Sequence, residues 1–128
     1  MIRIEDTIII EGKVVSGRGR GKKLGFPTAN IDMAHDIISL IKPGVYASLV
    51  RINKEVYQAL TSVGASPTYD SKIAKVEPHI FDFNKDIYGC IIVVSLIKHI
   101  RYIIKFNNGQ ELAEQFKLDC VKIRRFFY

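Results

Sequence analysis

The sequence predicts a mainly β domain: an antiparallel barrel of about six short strands followed by one C-terminal helix. Three observations carry that class. Short β-branched and aromatic runs recur along the chain, turn signals containing Gly, Pro or Asn separate them, and only the C-terminal stretch spaces its apolar residues for a helix. Many short strands favour a barrel because closure removes exposed strand edges. A length of 128 residues, with 48% apolar and 25% charged residues, fits a single domain over residues 1–128 that needs no staples for its core.

The elements follow in order. Thr7 to Ser16 is β-branched and reads as a strand, with Gly12 marking a bulge. Gly17 to Gly25 holds four glycines in nine residues and reads as a loop. Phe26 to Ile31 is short and extended after Pro27, and Met33 to Lys42 is a weakly patterned connection ending at Pro43-Gly44. Val45 to Ile52 and Val56 to Val63 are strands joined by a tight turn at Asn53-Lys54. After the loop Gly64 to Ser71, Ala74 to Phe83 alternates as a strand. Asn84-Lys85-Asp86 then reads as a hairpin turn into Ile87–Ile97, the most β-prone run. Leu112, Phe116, Cys120, Ile123 and Phe127 recur at helical spacing. Asn108 with Glu111 makes a capping pair, and Lys122, Arg124 and Arg125 suit the helix C-terminus.

Charge and cysteine usage narrow the function classes. A formal charge of +6 favours anionic partners, either nucleic acid or nucleotide phosphates. Lys13, Arg18, Arg20, Lys22 and Lys23 crowd one segment with no acid between Glu11 and Asp32. Cys90 and Cys120 form no C-x-x-C pair, so free thiols in a reducing cytoplasm are the expectation. The N-terminus does not read as a signal peptide, and Cys90 to Ile97 is too short to span a bilayer as a helix.

Three groups of residues suit chemistry. Glycines of the 17–25 loop can aim backbone N–H groups at a phosphate, with Lys and Arg adding charge. Neither G-x-x-x-x-G-K-[ST] nor G-x-G-x-x-G is satisfied, however, and a solvated basic turn explains the loop equally well. Thr28 and Asn30 lie two apart in an extended stretch, which puts both side chains on one side. Two neutral oxygens beside a phosphate-suited loop match the needs of Mg²⁺; on spacing alone, side chains that merely tie down a turn are the favoured reading. Alternation places Glu77, His79, Phe81 and Phe83 on one face. A carboxylate partly desolvated by aromatic neighbours is a better base, whereas Pro78 also fits an edge strand with Glu77 on its wet side. His35, His79 and His99 are too scattered for a zinc site.

Taken together in order, the pieces resemble the riboflavin kinase (flavokinase) family. The resemblance rests on Gly12-x-Val14 with Gly17 to Ile31 (GRGRGKKLGFPTANI), Pro43-Gly44-Val45-Tyr46-Ala47, and Gly64-x-x-Pro67-Thr68-Tyr69. It also rests on Glu77-x-His79-Ile80-x-Asp82-Phe83, Asp86-Ile87-Tyr88-Gly89, Ile100-Arg101, Phe106, Leu112, Gln115 and Asp119. The resemblance implies a closed six-stranded Greek-key barrel with a C-terminal helix, and transfer of the γ-phosphate of ATP to the 5′-hydroxyl of riboflavin, giving FMN. It implies Glu77 as catalytic base, Thr28 and Asn30 as Mg²⁺ ligands, and Gly17, Lys22, Lys23, Thr28, Ile80, Asp82 and Tyr88 along the ATP site. Arg101, Ile104 and Phe106 fall on the flavin side. The run Tyr102-Ile103-Ile104-Lys105 departs from the family pattern, which often has a proline, an acid and lysines there.

In many bacteria this module is the C-terminal half of a two-domain enzyme that also adenylylates FMN. The expected partners are riboflavin or FMN and ATP or ADP, with no nucleic acid and no membrane, in a monomeric cytoplasmic enzyme. A nucleic-acid-binding β-barrel is the runner-up, but Arg18 to Lys23 carries no interleaved aromatics. A non-catalytic flavin carrier is a third reading, which would need neither Glu77 nor the Thr28/Asn30 pair.

Overall fold

The computed structural model describes residues 1–15 and 28–128, and its backbone is organised around a long central hairpin. Strands β4 (Gly44–Ile52) and β5 (Glu55–Gly64) pair in continuous register from Gly44↔Val63 to Ile52↔Glu55. Asn53, with φ of 56°, makes the two-residue turn that the sequence predicts, since Asn tolerates this left-handed conformation. Around the hairpin lie β1 (Ile2–Ile4), β2 (Thr7–Val15), β3 (Asn30–Ile31), β6 (Lys75–Ile80) and β7 (Ile91–Arg101). A short helix α1 (His35–Ile38), a 3₁₀ turn (Pro67–Tyr69) and the helix α2 (Gly109–Phe127) complete the described residues. All pairings are antiparallel, in the order β1-β2-β7-β4-β5-β6, with β3 attached to β2.

This is the mainly β class with a C-terminal helix, but two expectations need correcting, the strand count and the turn after β6. Seven strands are described rather than six, because the Ile2–Ile4 strand folds back on β2 through a turn in which Glu5 has φ of 53°. Among the described residues the strand ladders stop short of a ring, and the Ala29 N–H, donating to the Pro78 carbonyl at 2.9 Å, links the β3 side to β6. Finally, residues 84–86 are not a hairpin turn. Asp82, at φ 55°, ends the β6 line, and β7 begins at Ile91 rather than Ile87. The Asp86 carboxylate takes the Tyr88 N–H, and Gly89 N–H and Val14 N–H bond the Val14 and Cys90 carbonyls respectively. The chain is thereby delivered to β2. There β7, too apolar for an edge, enters between β2 and β4 and buries Ile92, Val94 and Leu96.

The pleat separates two cores. One face packs Ile10, Val14, Val50, Val63, Val76 and Val94 with their neighbours. Within it Ser48 Oγ donates to the Ala59 carbonyl and sits 2.6 Å from Thr61 Oγ1. With the single serine proton spent, Thr61 is the donor of that second bond. The other face presents Val45, Ala47, Leu60 and Phe81 to Phe116 and Ile123 of α2. Burying such side chains is worth about 1.5–3 kcal/mol each, which holds the helix on the sheet. As predicted, Asn108 caps α2: its side chain accepts the Glu111 N–H at 2.9 Å, worth about 1 kcal/mol.

Gly12 makes no bulge, since the register runs unbroken from Ile8↔Leu96 to Lys13↔Ile91. The glycine is required instead by the close approach of β3. A Cβ there would lie 2.4 Å from Ile31 Cγ2.

Candidate active site

Residues 28–31 form a short extended stretch crossing between β2 and β6. Ile31 and Asn30 pair with Val14 and Val15, Asp32 N–H bonds the Lys13 carbonyl at 2.8 Å, and Ala29 N–H bonds Pro78. Ala29 and Ile31 pack into the first core. By alternation Thr28 and Asn30 point to the opposite side, as their spacing predicts. Asn30 is only 7% exposed, yet its Oδ1 accepts no hydrogen bond among the described residues. A buried acceptor left unpaired costs about 1–3 kcal/mol, so it is a position where a ligand atom or cation would relieve a cost.

On β6 the alternation repeats. Val76, Pro78 and Ile80 are buried, whereas Glu77 and His79 are half-buried on the other face. Thr28 Oγ1 donates to Glu77 Oε2 at 3.3 Å. A hydroxyl and a carboxylate 49 residues apart thus meet beside the open oxygen of Asn30. His79, two residues on, sets its ring edge-on to Phe116 of α2 at 5.1 Å and to Phe81 at 5.8 Å. Phe81 belongs to the helix-side core, but Phe83 lies beyond the strand and stacks edge-on with Tyr57 instead. The predicted four-residue face therefore holds for the first three members only.

Cross-strand register carries this face across the sheet. Glu77 pairs with Ser62, Ser62 with Val45, and Val45 with Arg101. Antiparallel partners project to the same side. Glu77 and Arg101 therefore end one row about 14 Å long, three strand spacings apart. Arg101 is fixed there: its Nε donates to Asp119 Oδ2 at 2.8 Å, Gln115 Nε2 donates to Asp119 Oδ1 at 3.0 Å, and Arg101 Nη1 donates to the Tyr102 carbonyl. The guanidinium stands 5.8 Å from the Phe106 ring centre, and Phe106 N–H is held by Thr68 Oγ1 at 3.0 Å. Asp119, Gln115 and Thr68 had no predicted role. For Gln115 and Asp119 the readable signal is their i, i+4 spacing on the buried side of α2; Thr68, in the 3₁₀ turn, has no such spacing.

The remaining expected site residues lie elsewhere. Ile80 is a core side chain at 7% exposure. Asp82 is exposed and pairs with Arg124 of α2 at 3.1 Å, and the Arg124 guanidinium bonded to it holds its carboxyl below the usual aspartate value. Tyr88 and Ile104 are exposed. Gly17, Lys22 and Lys23 lie outside the described residues. Among the described residues no three His, Cys, Asp or Glu side chains converge as a metal cluster; Thr28 and Asn30 are neutral oxygen donors of another kind. No helix among the described residues is long and apolar enough to cross a membrane. Cys90 is exposed, whereas burial and the neighbouring Asp119 push the Cys120 thiol up to about 11.

Comparison with known proteins places these features in context. A family model, "Flavokinase: Riboflavin kinase", matches residues 4–127. The chain is 38% identical over 122 residues to a Bacillus subtilis "Bifunctional riboflavin kinase/FMN adenylyltransferase", covering 92% of this chain and 38% of that protein. It is 40% identical to the "RNA-binding riboflavin kinase RibR" of the same organism, covering 91% of this chain and 50% of that one. The chain thus spans about two-fifths to a half of the length of these relatives. Among solved structures, riboflavin kinase from Trypanosoma brucei superposes with a TM-score of 0.66 at 28% identity, covering 94% of this chain and 79% of that one.

Proposed function

The chain belongs to the riboflavin kinase family, and from that premise we propose that it transfers the γ-phosphate of ATP to the 5′-hydroxyl of riboflavin, giving FMN and ADP. The observation that carries the reading is the Thr28–Glu77 contact beside the open Asn30 oxygen. Glu77 acts as general base. The ribityl oxygen attacks the γ-phosphorus, the bond from that phosphorus to the β–γ bridging oxygen breaks, ADP leaves, and the hydroxyl proton passes to the Glu77 carboxylate. Thr28 orients that carboxylate by donating to Oε2.

A hydroxyl has one proton and two lone pairs, so Thr28 can hold Glu77 and still offer an oxygen outward. With Asn30 Oδ1, this gives two neutral oxygen donors of the kind Mg²⁺ accepts while it keeps waters and phosphates in its shell. Thr28 and Asn30 would hold the ion, which when bound neutralises phosphate charge. Gly17, Lys22 and Lys23 supply the phosphate loop, and Ile80, Asp82 and Tyr88 border the nucleotide. Arg101, Ile104 and Phe106 take the flavin side, at the far end of the row that starts at Glu77. The bond from Ala29 to Pro78 supports closure of the sheet as a Greek-key barrel, with the Ile2–Ile4 strand added to the six strands the sequence predicts. In this reading the enzyme is a cytoplasmic monomer acting on small molecules, without nucleic acid.

The test is an assay with riboflavin, ATP and Mg²⁺, reading FMN by chromatography. Formation of FMN is expected, and its absence with folded protein would sink the proposal. Glu77→Gln should retain ATP binding and lower kcat by about 10²–10⁴-fold, the usual worth of a general base. A near-normal kcat in that variant would remove Glu77 from the reaction.

A further inference from the structure

A concave surface apart from the Thr28–Glu77 site has a volume of about 630 Å³ and opens at the β1–β2 end of the sheet. Its floor is Ile8 and Tyr46, its rim includes Leu40 and Phe126, and Arg3, Lys42 and Lys98 supply its charge, with His99 beside them. That volume falls in the range of small-molecule pockets. None of these residues belongs to the site described above.

Charge balance is the telling feature. Asp6 is the one acid in the lining, against three cations. None of Arg3, Lys42 and Lys98 forms a salt bridge among the described residues. Two of them are held by aromatic rings rather than by acids: the Lys42 ammonium lies 4.7 Å from the Tyr102 ring centre, and that of Lys98 lies 5.9 Å from Phe126. Rings localise a cation without neutralising it. The Tyr46 hydroxyl is engaged with the Lys42 carbonyl, and the His99 ring contacts Tyr46 and Tyr102 edge-on while one ring nitrogen lies 3.1 Å from the Pro43 carbonyl. Among the described residues, the three cations are the groups of this wall without a carboxylate in salt-bridge contact.

The geometry points to a second ligand site, for a small organic phosphate of mononucleotide size. Its phosphate is held by Arg3, Lys42 and Lys98, and its planar group lies against Phe126 and the Leu40 side of the rim. Phosphate suits a fork of one guanidinium and two ammoniums, whose bonds to an anion are charge-assisted. The half-exposed Phe126 ring offers a face for stacking.

Amide NMR of the chain, titrated with adenosine 5′-monophosphate, adenosine and inorganic phosphate, tests this. AMP at millimolar concentration should shift the Lys42, Lys98 and His99 amides saturably, inorganic phosphate should shift the same set more weakly, and adenosine should leave them unmoved. Lys42→Glu with Lys98→Glu, both at exposed positions, should weaken these shifts at least about tenfold. The dispersion of the Ile10, Val63 and Val94 amides reports that this variant still folds. Lys98→Ala alone gives a smaller loss that does not depend on charge reversal. The proposal is overturned if AMP moves none of these amides, if adenosine moves them equally, if phosphate has no effect, or if the double variant retains full shifts. A single-stranded oligonucleotide shifting the same amides at far lower concentration than AMP would replace the small-molecule assignment.

Discussion

Gly12→Ala would test how the first core positions the candidate metal ligands. The added methyl would stand 2.4 Å from Ile31 Cγ2 and 3.4 Å from the Asp32 carbonyl oxygen. Carbon atoms in contact normally lie about 3.5–4.0 Å apart, so the two methyls must separate by about 1 Å. Ile31 is 5% exposed and β-branched, hence stiff at χ1. The displacement therefore passes to the β3 backbone, which is held to β2 at Val14, Val15 and Lys13. Overpacking of this kind costs about 1–3 kcal/mol, set against the roughly 0.5–1 kcal/mol that replacing a strand glycine returns. Urea unfolding of Gly12→Ala, Ile31→Ala and the double variant reads the coupling. Ile31→Ala alone should cost about 2–5 kcal/mol. In the double variant the overlap is gone, so its loss should fall short of the sum by at least about 1 kcal/mol. Because Asn30 adjoins Ile31, Gly12→Ala should also raise the KM for Mg-ATP more than it lowers kcat. Additivity within about 0.5 kcal/mol would refute the claim that Gly12 exists to admit Ile31.

Thr28→Ala should weaken ATP binding about tenfold, or 1.4 kcal/mol, when Mg²⁺ is present and much less when it is absent; calorimetry under both conditions separates the two. Asp119→Ala leaves the mostly buried Arg101 guanidinium without its carboxylate and should destabilise by about 3 kcal/mol in urea unfolding, with a raised KM for riboflavin as Arg101 loses its orientation. The Cys120 thiol titrates near 11 when folded, against 9.0 as its ordinary value. A raised value favours the folded state below the unfolded pKa, so this contribution is complete below pH 9 and is lost as pH rises toward 11. Thermal unfolding of Cys120→Ala should show a shallower decline across that window. In the opposite direction, Arg124 lowers the Asp82 carboxyl, so the pair's small contribution is present above the ordinary aspartate value and fades as pH falls below it. Asp82→Asn should remove that acid-side dependence and leave the neutral-pH transition nearly unchanged, as expected for an exposed pair.

What was legible in the sequence follows from what is local. The β4–β5 hairpin, its Asn53 turn and the capped C-terminal helix each depend on residues close together in the chain, and all three stand where the pattern puts them. Partner choice is not local. Asn84-Lys85-Asp86 has the composition of a hairpin turn, yet β7 leaves β6 because a strand burying Ile92, Val94 and Leu96 needs a neighbour on both sides, which β2 and β4 provide. Gly12 shows the same limit: a glycine in a strand suggests a bulge, and only the arrival of Ile31 from another element reveals the close approach.

The candidate site was readable to the same extent and for the same reason. Alternation alone puts Thr28 and Asn30 on one side of their strand and Glu77 and His79 on one side of theirs. Whether those two sides meet depends on which strand lies next to which, and that is decided by apolar residues with no part in the chemistry. Ala29 and Ile31 pack inward beside Val76 and Ile80, and the Ala29–Pro78 bond brings the two backbones together. Once those inward residues share a core, the outward residues between them have little choice. Thr28 must come up against Glu77, and Asn30 must be buried between β2 and β6 with its oxygen still open. The same logic extends along the row through Ser62 and Val45 to Arg101, whose direction is then set by Asp119 from a helix packed on that face. The polar constellation is thus the outer print of an apolar register, and a one-residue slip of β6 against β5 would turn Glu77 into the core and dismantle it.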